Sequence, residues 1–564
     1  MPAVKPPSVY KKRQAWLVPV GALVLMGVTT FLVLFGADHL ARDDRQGFFS
    51  VFREFDVDTV QNGLANVAAI VAAVMGIVIT VVSIIVQLSA NRYSPQVTEM
   101  FFKDRTNLVV MAFYVEACVL GLWVTFMTTR TYVPQISIIA LLVVATIGFL
   151  IMAPYFAYVF SFLSPENVIN RIQHTALNAA VTGAAQENPE RRDADQASVL
   201  QSMEQITDIA RNAIGSKDKI IATGCVDALK QLAVRYLASK RRSLPAWHAI
   251  GPRLRANPDF VSMTPESLKD LESRQVWLEW KLLRQYQAMY NEALSNMRDL
   301  NYVLAIDTRY IAEAAVRHEE PESFRMAVKF FNTYLRATLN ARDIRTAYNI
   351  LNQYRMLAET LLRAKEDDLA LEIAGYLKYY GHIGYQLEMP FVTEVVAYDI
   401  STMLELAHDV KSSVEGKLLA ILLQVDRESS SDDIDMQNAE ESSLRGVRKA
   451  QAKLATYYLE RKEEALAREV FRDMEHERPE RLRGIRDELM KVDSRDFWEV
   501  NDRWVNFDYL PPARRALLAT FFEWFPEIDR RTSGSQKAQT AETAQTAETA
   551  ETAEAPSTGG TAKV

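Results

Sequence analysis

Residues 59–90 read TVQNGLANVAAIVAAVMGIVITVVSIIVQLSA. Within them Thr59, Asn62, Asn66, Ala69, Ala73, Gly76, Thr80, Ser83, Gln87 and Ala90 follow one another at steps of three and four, which places them on one face of a helix. Each is small or polar, and their neighbours are mostly Val, Ile, Leu and Met. The stretch exceeds the roughly 20 residues that cross a bilayer as helix. The pattern predicts lipid-compatible residues pointing one way and a polar, closely approachable seam pointing the other, toward protein or water. Two readings of the seam stay open. Small residues favour close helix packing, whereas the Asn62, Asn66 and Gln87 amides favour a pathway lined by water, with Gly76, Thr80 and Ser83 on the same wall.

Three further apolar runs reach membrane length, giving four expected spans at about 15–37, 63–88, 108–128 and 133–163. The first follows Lys11, Lys12 and Arg13 but has too long an apolar core for a signal peptide, and no small-residue cleavage site follows it. An orientation with both termini inside places seven Lys and Arg residues inside (Lys5, Lys11, Lys12, Arg13, Arg92, Lys103, Arg105) against four outside (Arg42, Arg45, Arg53, Arg130). Residues 1–14 then form a basic cytoplasmic N-terminus, 15–163 the membrane domain, and everything beyond 163 is cytoplasmic. Phe48, Phe49, Val51, Phe52 and Phe55 share a broad helical face, which predicts an amphipathic helix over 43–55 in the outer interface. Asp56 and Asp58 follow it. They read either as the outer mouth of a pathway or as acids favoured at a helix N-terminus. Glu116 is an acid inside a span, either a proton carrier or cation ligand, or a hydrogen-bonded lock between two helices. Pro154 removes one backbone hydrogen bond from the fourth span.

The segment Ile84-Ile85-Val86-Gln87-Leu88-Ser89-Ala90-Asn91-Arg92-Tyr93-Ser94-Pro95-Gln96, followed by Phe102-Lys103-Asp104-Arg105, resembles the signature of the domain of unknown function 2254 family of bacterial predicted membrane proteins. Gln87, Leu88, Tyr93, Ser94 and Pro95 match its pattern, while Arg92 stands where Gln is common and Gln96 where Arg is common. The resemblance spans roughly 63–175. It implies a multi-pass protein of the bacterial inner membrane and carries no biochemical activity. Physically, Arg92 and Tyr93 suit the inner interface, and Ser94-Pro95 reads as an N-cap followed by a first helical residue. The short helix so started is either a gate or a rigid elbow.

From 164 to 530 the pattern is mostly amphipathic helix, expected to form one cytoplasmic helical domain. Residues 183–197 and 425–446 read as linkers, and 243–265 as an irregular stretch with four prolines. Weak self-similarity links 357–373 (LAETLLRAKEDDLALEI), 454–470 (LATYYLERKEEALAREV) and, more loosely, 311–330. Hairpins of the tetratricopeptide type and a single helical bundle both remain open. Gly381-His382-Ile383-Gly384 reads as a turn between helices. The Thr-, Ala- and Glu-rich tail at 531–564 has too little apolar surface to order itself.

The expected fold class is therefore all-α: a four-helix transmembrane region, a large helical domain and a disordered tail. A net charge of -7 argues against nucleic acid as a partner. Seven scattered histidines and two cysteines, Cys118 and Cys225, make no metal or redox spacing, and no phosphate loop or nucleophile motif occurs. No enzyme activity, cofactor or metal is expected. The partners expected are membrane lipid, further copies of the chain, and a protein recruited by the helical domain. The first functional expectation is an oligomeric, cation-conducting channel or pore with a cytoplasmic assembly or gating domain. The second is a membrane-anchored helical-repeat scaffold or sensor.

Overall fold

In the computed structural model, residues 29–30, 33, 57–92, 96–130, 132–426, 434–497, 499–526 and 528 are described. The first expected span, the amphipathic helix at 43–55, Asp56, Tyr93, Ser94, Pro95 and the tail lie outside them. Among the described residues every extended element is helical, and the chain divides at Met263 and Thr264 into two units.

The first unit opens with the apolar helices. Helix α1 spans Val57–Arg92, the short α2 Gln96–Phe102, α3 Arg105–Met127 and α4 Gln135–Phe162. Helices α1, α3 and α4 are long and apolar enough to cross a membrane. Asp104 caps α3 by accepting from the Thr106 backbone N–H at 2.9 Å. Pro154 lies inside α4, which continues to Phe162, and Ser164-Pro165 starts α5 (Pro165–Ala184) at once. Helices α6 (Pro189–Gly215) and α7 (Lys219–Lys240) pack with α5 as a three-helix group.

The linker expected at 183–197 is helix apart from a short turn. Asn188 accepts from the N–H groups of Glu190 and Arg191, and Pro189 occupies the first helical position. Charge there marks a solvated helix face rather than a loop. The proline-rich stretch also gains order. Pro245 starts a 3-10 turn (Pro245–His248), and Pro252, Pro258 and Pro265 each start a helix: α8 (Pro252–Arg255), α9 (Pro258–Val261) and α10 (Pro265–Ser273). Trp247 is fully buried against Gly183, where a Cβ would lie 2.3 Å from the indole. Gln196 donates to the Trp247 and Ala249 carbonyls at 2.8 and 2.9 Å and pins the stretch down.

The second unit continues with α11 (Trp277–Asn296), α12 (Arg298–Arg317), α13 (Pro321–Asn340), α14 (Ile344–Ala364), α15 (Asp367–Gln386) and α16 (Pro390–Asp409). After them come α17 (Glu415–Leu422), α18 (Ile434–Glu460), α19 (Glu464–Met474), α20 (Pro479–Lys491) and α21 (Pro512–Glu523). Helices α12 to α16 begin at Arg298, Pro321, Ile344, Asp367 and Pro390, a constant step of 23 residues. The turns keep the same step, with left-handed residues at Glu319, Arg342, Lys365, Glu388 and Lys411. Each turn closes in one way, as where the Glu366 N–H donates to the Leu361 carbonyl at 3.0 Å and Met389 to Gly384 at 2.8 Å. These are Schellman ends, with a charged residue where glycine is usual.

The three similar segments, 311–330, 357–373 and 454–470, each straddle such a turn, with Glu319, Lys365 and Lys462 as its left-handed residue. Every second helix starts 46 residues on (Arg298, Ile344, Pro390). A tetratricopeptide hairpin takes about 34. Helices α12, α14, α16 and α18 lie side by side, each packed on the next. The glycine pair at 381–384 does not turn the chain but sits inside α15. There Gly381 and Gly384 let α16 approach, since a Cβ would meet Val396 at 3.2 Å and Val392 at 2.7 Å. The break expected over 425–446 is already helix from Ile434.

Left-handed backbone costs a residue with a Cβ about 1–2 kcal/mol, part of which a glycine returns as unfolded-chain entropy. Lys462→Gly is expected to stabilise the protein by about 0.5–1 kcal/mol. A higher melting temperature in detergent checks it, and an unchanged or lower one refutes it.

Candidate functional site

The seam on α1 is exposed from Thr59 through Gln87, at Asn62, Asn66, Ala69, Ala73, Gly76, Thr80 and Ser83 in turn. The opposite face does the packing. Leu64 joins Val124 of α3 and Leu141 of α4, and Val71 joins Ala117 and Ala145. Val78, Val82 and Val86 are buried below them. Closest approach uses Ala68 and Gly121, where a Cβ on the glycine would lie 3.0 Å from Ala68 Cβ. The sequence reading expected the Val and Ile rows to face lipid and the small and polar residues to face protein or water. Within one chain Val and Leu rows of α1 pack inward, because branched side chains fill the groove beside the small residues Ala117 and Gly121 of α3, and the seam itself faces out.

Nothing lies within 4 Å of a Cβ built on Gly76. The Thr80 hydroxyl bonds back to the Gly76 carbonyl at 2.8 Å, so it is satisfied within its own helix. The Asn62, Asn66 and Gln87 amides have no hydrogen-bond partner among the described residues.

At the end of the spans where α1 begins, Asp58 pairs with Arg130 at 3.9 Å, both well exposed. Such a pair contributes about 0–1 kcal/mol and halves the local charge of an acidic mouth. Glu116 lies exposed on α3, on neither the α1 seam nor the packed interior. Arg92 is the last residue of α1.

The opposite end holds a cluster that sequence reasoning did not single out. Phe101 of α2 is fully buried edge-on to Phe162 of α4, with ring centroids 5.3 Å apart. Tyr155 donates to Asn107 at 2.6 Å, and Tyr158 donates to Asp104. Arg171 of α5 lies 3.7 Å from Asp104 and 3.8 Å above the Phe162 ring. Burial pushes the Asp104 carboxyl up, but the Tyr158 hydroxyl, the Thr106 backbone and the Arg171 guanidinium outweigh it and hold it below the usual range. One carboxylate thus ties α3, α4 and α5 together. The available signal was Asp104 beside the short α2, read only as part of a signature. A hydrogen bond to a charged acceptor contributes about 1.5–3 kcal/mol. Tyr158→Phe should lower stability in detergent by about 1.5 kcal/mol. Loss of less than a third of that would show the cluster to be incidental.

The second unit carries its own site, also missed. Residues 493–497 and 499–511 leave helix, and the latter run across α14, α16 and α18. Arg345 donates to both Asp502 oxygens at 2.9 and 3.1 Å, and Asn349 donates at 2.8 Å. Arg503 donates to the buried Asp399 at 2.7 Å and to the Tyr348 carbonyl, with its guanidinium 4.0 Å from the Tyr348 ring centre. Phe507 stacks on Tyr398, with centroids 4.6 Å apart and planes 7° apart. Asp508 accepts from the Tyr398 hydroxyl at 3.0 Å and from Lys449 at 2.8 Å. Lys453 donates to the Phe507 carbonyl. Trp504, by contrast, has a left-handed backbone and is 79% exposed. No sequence motif announces this strap, because its grips lie 54 to 157 residues away along the chain.

Beside the strap, Glu394 lies against Gly446, where a Cβ would come within 2.4 Å of its Cγ. Burial, with Asp508 and Glu488 adding to it against Lys449, pushes the Glu394 carboxyl up to about 7. Its folded-state value exceeds the ordinary 4.5, so the stability it contributes is complete below that pH and is lost as pH rises toward 7. Glu394→Gln is expected to flatten the fall in urea midpoint between pH 5 and 7. An undiminished slope in the variant would assign the fall to other groups.

No group of His, Cys, Asp and Glu among the described residues is arranged to hold a metal ion, and Cys118 and Cys225 are free thiols. Residues 12–202 match the model of the family described as predicted membrane protein (DUF2254). The match covers the quoted signature, all three apolar helices and the run before them. No curated protein and no solved structure matches the chain.

Proposed function

We propose that the protein is an oligomeric membrane channel or pore, in which the α1 seams of several copies face one another around a shared path. The observation that carries this reading is the outward position of the Asn62, Asn66 and Gln87 amides, without a hydrogen-bond partner among the described residues, on a helix whose other face is already packed. Amides facing hydrocarbon are unfavourable, and a neighbouring copy or a column of water removes that cost. Asp58, and with it Asp56, then stands at the outer mouth and attracts cations. Both termini lie in the cytoplasm of a bacterial inner-membrane protein, where the helical second unit assembles or gates the ring. Neither catalysis nor a cofactor enters this reading.

A membrane-anchored scaffold is the second reading, favoured by the evenly stepped helices of the second unit, since stacked helical repeats commonly present a groove to a partner.

The test is a cysteine scan along 59–90 after replacing Cys118 and Cys225, read with a small water-soluble thiol reagent in native membranes. Labelling with a three-four period on the seam supports the pore. Protection from Asn66 through Ser83 in all conditions sinks it and leaves the scaffold. Thr80→Leu and Gln87→Leu should each abolish ion flux while cross-linked oligomers persist, and unchanged flux in both counts against the pore.

A further inference from the structure

The strap grips the second unit in the manner of a bound peptide. Its backbone joins no helix between 499 and 511. Its hold comes from side chains entering successive sites on alternate helices: Asp502 on Arg345 and Asn349 of α14, Arg503 on Tyr348 and Asp399, Phe507 on the Tyr398 ring of α16, and Asp508 on Lys449 of α18. Each site has a defined chemistry. Arg345 forks onto a carboxylate, Asp399 takes a guanidinium, Tyr398 takes a ring face, and Lys449 and Lys453 take a carboxylate and a carbonyl. Residues 493–497, 499 and 500, around the start of the strap, are exposed, Val500 at 81%. The gripping surface is thus built from side chains that recognise a segment folded into two tight turns, Asn501–Trp504 and Asn506–Tyr509, and ask nothing of its covalent connection.

We propose that the face formed by α14, α16 and α18 is a peptide-binding groove occupied in cis by residues 499–511. Its partner is a peptide of like chemistry that can adopt two successive turns: an acid–cation pair in the first, three residues, then an aromatic–acid pair in the second, as in Asp502-Arg503-x-x-x-Phe507-Asp508. Charge complementarity selects this partner, because the groove offers Arg345 at one end, Lys449, shared with Glu488, at the other, and the buried Asp399, shared with Arg355, between them. A lipid surface fits poorly, since Asp493, Asp496 and Glu499 crowd the exposed side of the strap with only Arg495 to offset them. The strap holds the groove closed until a competing segment displaces it. The inference stands apart from the pore reading, because none of its residues lies in the membrane unit.

The experiment uses the full-length protein in detergent and a fluorescein-labelled synthetic peptide of residues 499–511. Phe507→Ala combined with Asp508→Asn weakens the cis grip. That variant is expected to bind the peptide at least ten-fold more tightly than the wild type, and a scrambled peptide is expected not to bind. Adding Lys449→Met should remove the gain. A variant with native circular dichroism and no gain in binding overturns the proposal. So does self-association without peptide binding, which assigns the face to a second copy. Should the variant not fold, hydrogen exchange on the wild type decides. Excess unlabelled peptide is expected to speed exchange across 499–511, and unchanged exchange at saturating peptide makes the strap a fixed brace.

Discussion

In hydrocarbon a helix satisfies its own backbone, so side chains alone decide what spans do with one another. Helix α1 meets that constraint with two seams. The Leu64, Val71, Val78, Val82 and Val86 row is buried inside the chain. The row of Asn62, Asn66, Gly76, Ser83 and Gln87 is left facing outward. Much else in the membrane unit follows from this division. Gly121 is small because Ala68 presses on it. The Tyr114 hydroxyl of α3 donates to the Gly148 carbonyl of α4 at 2.8 Å, closing the far side of the bundle. Among the described residues the apolar seam is occupied and the polar one is left uncovered.

Much of this was legible in the sequence, and the rest was hidden for physical reasons. Periodicity located α1, α3 and α4 because a 3.6-residue repeat and apolar length are local properties. It could not say which seam turned inward. That depends on the shape of α3, where Gly121 and Ala117 make a groove suited to branched side chains. Charge misled the reading at 183–197, where Asn188-Pro189 starts a helix whose outer face is simply solvated. The glycines at 381 and 384 misled it in the opposite direction. They admit the neighbouring helix and leave the backbone unbent.

Repetition was easier to see than its period. The segments 357–373 and 454–470 share leucines, alanines, glutamates and one lysine, 311–330 resembles them more loosely, and each carries its left-handed turn at the same place. The turn residues themselves gave no sign, since Glu319, Lys365 and Lys462 replace the glycine that normally reports such a turn. The strap gave none either. Asp502, Arg503, Phe507 and Asp508 look like an ordinary polar loop until folding brings α14, α16 and α18 beneath them. Long-range ion pairs of this kind have no local signature, whereas a cap or a proline start does.

The strap also has a mechanical side. Helices α14, α16 and α18 belong to successive layers of one stack, and a stack of that kind bends by changing the spacing of its layers. A segment fastened to all three layers behaves like the string of a bow. While Asp502, Arg503 and Asp508 hold, the spacing from α14 to α18 is fixed and the curvature of this part of the stack with it. Once they let go, the same helices form a spring.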